Sequence, residues 1–129
     1  MNPEFNKYSL ALVKNDAIIY SSSGHGLKPL VDCISKCKDK HTGCTLFDKA
    51  IGLAAAKLIV YSGMISSIQT LVASASAAGF LKEQGIKLKA DKVVANLLNN
   101  DMTGPCPMSL KAEKAGPEEL YLELKELLG

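Results

Sequence analysis

Between Ala50 and Ser62 the chain is apolar on nearly every side, broken only by Lys57 and punctuated by the small residues Gly52, Ala54, Ala55 and Ala56. A helix without a polar stripe has to be covered all round. The small side chains let neighbouring backbones come close. At about 1.5 Å per residue the segment is too short to cross a bilayer core of about 30 Å. It therefore reads as the central helix of a packed domain, and the rest of the chain must supply its cover.

The flanking segments suggest what that cover is. Ser9 to Val13 and Ala17 to Tyr20 are short apolar runs separated by Lys14-Asn15-Asp16, the spacing and chemistry of a β-hairpin. Ser21 to Gly26 is a loop, and Pro29 suits the first turn of a helix running to about Lys38, with Leu27, Leu30, Val31 and Ile34 as its buried stripe. Cys44 to Phe47 reads as a third strand, followed by Asp48 as N-cap of the apolar helix and Gly63 as its stop. Ile68 to Val72 is a fourth strand, Ser74 to Gln84 a helix with Gly85 behind it, and Ile86 to Lys89 an alternating, half-exposed strand. Asp91 to Asn99 carries Val93, Val94, Leu97 and Leu98 at helical spacing. Gly116-Pro117-Glu118-Glu119 opens a final helix whose apolar face is Leu120, Leu124, Leu127 and Leu128. These leucines are expected to dock on the domain's own sheet, with a homodimer contact as the alternative. A hairpin followed by alternating strands and helices implies an α/β protein, a three-layer α/β/α sandwich around a mixed sheet.

Size and charge narrow the partners. A chain of 129 residues, 47% hydrophobic, suits one domain over residues 1–129, with residues 1–6 a cloning remnant or disordered start and 109–129 a C-terminal helical extension. Fifteen basic residues against thirteen acids leave a net charge of only +2, too little for a nucleic-acid or anionic-membrane footprint. There is no Trp, and the three Phe and four Tyr are scattered, so no base-stacking platform is visible. The opening Met1-Asn2-Pro3-Glu4-Phe5 has neither the apolar core nor the cleavage site of a signal peptide. A cytoplasmic location follows, where the four cysteines are expected as thiols.

Two cysteine arrangements stand out. Pro105 and Pro107 clamp Cys106 within Thr103-Gly104-Pro105-Cys106-Pro107-Met108, which limits its conformations and fixes its direction. It is a candidate nucleophile or redox-sensitive thiol, provided that a cation such as Lys49 or a helix N-terminus lowers its pKa. The bland readings are a pocket-lining residue or a small buried hydrophobe. Cys33, Cys37, His41 and Cys44 form C-x3-C-x3-H-x2-C, a zinc clip on paper. Cys33 and Cys37 also share a helical face with Leu30 and Ile34, where buried thiols are ordinary core filling. His25, between two glycines, is a loop residue with no partner nameable as a base.

Phe47-Asp48-Lys49-Ala50-Ile51-Gly52-Leu53-Ala54-Ala55-Ala56, then Ser74-Ala75-Ser76-Ala77, then Thr103 to Met108, resemble a bacterial family, the domain-of-unknown-function 1893 family. The resemblance spans roughly Ser9 to Met108 and implies a cytidine deaminase-like fold without an established activity. The family typically has Glu after Cys-Pro-Met, where this chain has Ser109.

Zinc deaminases need a His or Cys two residues before a catalytic Glu at one helix start and Pro-Cys-x-x-Cys at the next. Here the two expected helix starts offer Asp48-Lys49-Ala50 and Ser74-Ala75-Ser76, and Pro105-Cys106-Pro107-Met108-Ser109 has Ser where the last Cys belongs. Zinc-dependent deamination is therefore not expected, and no cofactor is. The expected site is a crevice lined by Asp48, Lys49, Ser74, Ser76, Thr103 and Cys106, taking a small polar or anionic metabolite at converging helix N-termini. Two other readings stand beside it: a non-metal enzyme or redox switch using Cys106, and an interaction module built on the Cys/His clip.

Overall fold

The computed structural model describes residues 8–24, 27–38, 40–95 and 116–128, with 127 and 128 described by their backbone only. The hairpin forms as its turn chemistry requires. β1 (Leu10–Lys14) and β2 (Ala17–Ser22) are joined through Asn15 at φ 53 and Asp16 at φ 64, the paired positive φ of a two-residue hairpin turn. A bulge between Leu12 and Val13 shifts the register, so that Leu12 faces Tyr20 while Val13 faces Ile18.

Helix α1 (Lys28–Cys37), strand β3 (Cys44–Ile51), helix α2 (Leu53–Ser62), strand β4 (Ile65–Ser74), helix α3 (Ala75–Glu83) and strand β5 (Lys87–Val94) then alternate, and α4 (Pro117–Leu128) ends the chain. The five strands lie in the order β2-β1-β3-β4-β5. β1 runs antiparallel to both neighbours, while β3, β4 and β5 are parallel, so the sheet is mixed as expected. The two parallel crossovers each carry a helix, as such connections must.

The buried apolar side chains of the four described helices share one cluster with Leu10 and Leu12 of β1, Leu46 of β3 and Ile68 of β4. The described helices thus cover one face of the sheet. Ala11, Val13 and Phe47, with Ile18 against them, make a smaller cluster on the other face. Of the three expected layers, the described residues supply two. α2 is covered on most sides but not all round, since Lys57, Val60 and Tyr61 are half-buried along one stripe; Leu58 and Ile59 are 0% exposed, and burying each stabilises by about 1.5–3 kcal/mol. Gly63 ends it in the left-handed region at φ 66.

Four element expectations change. β3 continues through Asp48 to Ile51, because Asp48 pairs with Leu10 of β1 and Thr70 of β4; the ladder holds the backbone that an N-cap would have released to a helix. β4 is longer at both ends than Ile68 to Val72. The segment from Asp91 is strand to Val94, not helix. Pairing with Val72, Ala73 and Ser74 continues, and β-branched Val93 and Val94 suit it; residues 96–99 lie outside the described residues. Finally, α4 docks on helices α1 and α2 and not on the sheet. Leu120 and Leu124 are fully buried there, Tyr121 stacks on Tyr61 with ring centroids 4.7 Å apart, and its hydroxyl bonds the Ser35 hydroxyl at 2.7 Å. No described helix is long and apolar enough to cross a membrane.

Candidate functional site

Parallel β3, β4 and β5 end level with one another. Ile51 pairs with Ala73, and Ala73 with Val93, so the starts of α2 and α3 lie side by side at the carboxyl edge of the sheet. In open α/β sheets this edge is where ligands usually bind. α2 begins after Gly52, whose extended backbone (φ -96, ψ -179) carries no side chain to cap the first-turn N–H groups. α3 is capped in the ordinary way, with the Ala77 N–H donating to Ser74 Oγ at 3.2 Å, and the Ser74 and Ser76 hydroxyls lie 3.3 Å apart. Ser74 is buried and Ser76 exposed.

Asp48 lies back from this edge, on the sheet face that the helices cover. It faces Thr70, whose buried hydroxyl donates to the Val72 carbonyl at 3.1 Å. Part of Asp48 is accessible by area, yet protein surrounds its carboxyl densely enough for lost hydration to dominate. Burial pushes the carboxyl up to about 7, against the N–H groups of Ala50 and Lys49, which favour the anion. A carboxyl near neutrality inside a fold can take or give a proton at ordinary pH.

The expected site residues are only partly brought together. Ser74 and Ser76 share the α3 start, but Asp48 pairs with Thr70, four residues earlier on β4, which at about 3.3 Å per residue sets it about 13 Å back along the strand. Lys49 is exposed, and strand alternation turns it away from Asp48. Thr103, Cys106 and His25 lie outside the described residues. Gly52 takes the N-cap place expected of Asp48. The clue was in the sequence, since a lone Gly between apolar Ile51 and Leu53 marks a strand-to-helix break. Thr70 had no such signal.

Cys33, Cys37 and Cys44 are buried free thiols in the main core. Burial, reinforced by Cys37, Cys44 and Asp48, pushes the Cys33 thiol far up, away from the thiolate that a metal or an electrophile would need. Burial also raises Cys44, whose thiol lies 3.9 Å from the Thr42 carbonyl. Among the described residues no group of three or more His, Cys, Asp or Glu side chains could hold a metal ion. Two of the hollows formed by described residues stand out, and neither is lined by the expected site residues. One, of about 560 Å³, lies between α3 and β5; the other, of about 310 Å³, runs beside the hairpin turn along Lys14, Asn15, Thr45 and Gln69.

A mixed five-stranded sheet with helices on its parallel crossovers defines an α/β protein. By sequence, the model of the domain of unknown function DUF1893 matches residues 4–128, and the chain belongs to that family. It is similar to the crystal structure of a DUF1893 family protein from Thermotoga maritima, with a TM-score of 0.84 and 27% identity over 95% of this chain and 84% of that one. No curated protein matches.

Proposed function

We propose that this protein binds a small polar or anionic metabolite at the carboxyl edge of β3, β4 and β5, on a cytidine deaminase-like fold that lacks zinc-dependent deaminase chemistry. The observation that carries the reading is the level pairing of Ile51 with Ala73, which sets the N-termini of α2 and α3 together. Free first-turn N–H groups and two helix dipoles favour negative charge there. The Ser76 hydroxyl adds a donor at the rim. Asp48, further in, offers a carboxyl that can be neutral or charged. The donor set argues against zinc, because Gly52-Leu53-Ala54-Ala55 and Ser74-Ala75-Ser76 contain no thiol, imidazole or glutamate.

The test is an amide-resolved NMR titration with inorganic phosphate, nucleoside monophosphates, sugar phosphates and dicarboxylic acids, beside thermal shifts. Binding should move the amides of Leu53, Ala54, Ala75 and Ser76 together. Ser76→Asp should weaken an anion's affinity by repulsion while leaving α3 intact or slightly firmer, since an acid in the first turn suits the dipole. The proposal fails if stabilising ligands move other amides and leave these four unmoved, or if no compound in the panel binds at millimolar concentration.

A further inference from the structure

The edge strand β5 and helix α3 form a surface that the proposed metabolite site does not use. Ala78 and Lys82 of α3 and Ile86, Leu88, Ala90 and Val93 line the groove of about 560 Å³ between them. Val93 is 55% exposed, so this rim is open to solvent. Along β5, Lys87 and Lys89 alternate with Leu88 and Ala90 and are exposed, as are Lys92 and Lys82. This stretch carries four lysines and only two acids, Glu83 and Asp91.

β5 pairs with β4 on one side, and among the described residues no strand pairs with its other side. Such an edge presents a row of backbone donors and acceptors, and exposed lysines are a common means of keeping like edges apart. That protection is selective. A second copy of β5 would bring lysine against lysine, whereas a segment carrying acids would meet complementary charge. The apolar groove adds what simple edge protection does not need: somewhere for every second side chain of an incoming strand to go.

We infer that β5 is a docking edge for an extended acidic segment of another protein, one alternating apolar and acidic residues. Its backbone would extend the sheet as a sixth strand. Its apolar side chains would enter the groove beside Leu88 and Ala90, and its acids, on the opposite face of the added strand, would meet Lys87 and Lys89.

The probe is a synthetic eight-residue peptide alternating Glu and Val, compared with octaglutamate, an alternating Lys and Val peptide, a version with two Val replaced by Pro, and single-stranded DNA. Fluorescence anisotropy of the full chain should show saturable binding that weakens with salt, with amide shifts confined to Ile86–Val94 and the facing side of α3. Lys87→Glu with Lys89→Glu should weaken it roughly tenfold or more, and the proline peptide should not bind, because it lacks ladder donors. Circular dichroism of the double variant confirms that it is folded, and Leu88→Ser tests the groove separately. Equal binding of octaglutamate or tighter binding of DNA would overturn the proposal. So would shifts away from β5, self-association through β5, or no binding at millimolar peptide.

Discussion

Asp48 should make this protein less stable as pH rises from about 4 to about 7, and replacing it with Asn should remove that loss. Its carboxyl rises from an ordinary 3.8 to about 7 in the fold, chiefly through burial. The sign follows from proton binding. Below pH 4 the group is protonated whether the chain is folded or not, so it contributes no pH-dependent penalty. Between the two pKa values the unfolded chain ionises and the folded one does not, which favours unfolding progressively. Above pH 7 the penalty is complete. Three units at about 1.4 kcal/mol each set it on the order of 4 kcal/mol. Asn keeps the shape and one acceptor for the N–H groups of Ala50 and Lys49, whose bonding to the carboxylate is already contained in the net shift. Asp48→Asn should therefore be within about 1 kcal/mol of wild type at pH 4 and more stable by about 3–5 kcal/mol at pH 8. Urea unfolding of both proteins from pH 4 to 8 measures the difference, and the carbon-13 titration of the Asp48 carboxyl reads the cause directly. Parallel stability curves, or a carboxyl that titrates below pH 5, would refute the reasoning.

Three other outcomes follow from the packing. Ser74→Ala removes the cap that receives the Ala77 N–H and should cost about 1 kcal/mol in chemical denaturation, with faster amide exchange in the first turn of α3. Tyr121→Phe keeps the stack on Tyr61 but loses the bond to Ser35, for about 0.5–1.5 kcal/mol; Leu124→Ala beside it leaves a cavity and should cost about 2–5 kcal/mol, both read from urea midpoints. Cys33 should resist alkylation at pH 8 until the protein is unfolded, because its thiol is fully buried and pushed far up; labelling at the rate of a free thiol in the native protein would show the core reading to be wrong.

The element order was readable because it is written in local chemistry. Asn15-Asp16 between apolar runs made the hairpin, Gly63 and Gly85 ended helices with positive φ, and Ser74 capped α3. Boundaries failed where distant pairing outweighed local preference. Asp48 has the chemistry of an N-cap, but β1 and β4 hold it within a ladder, and Val93-Val94 follow β4 instead of turning into a helix. The candidate site was half legible for the same reason. Serines at a helix start announce themselves, whereas the uncapped start at Gly52 acquires meaning only beside that of α3.

The sequence by itself determined that this is an α/β chain with a central apolar helix, a leading hairpin and a mixed sheet, because periodicity, capping and turn residues act over a few positions. Tertiary structure decided the register of Ile51 against Ala73, the burial that raises Asp48, the docking of α4 on helices instead of strands and the lysine-lined edge of β5, which no strand covers among the described residues. Each of these depends on which residues meet across long stretches of chain. Desolvation and strand pairing are properties of that meeting, so no single segment encodes them.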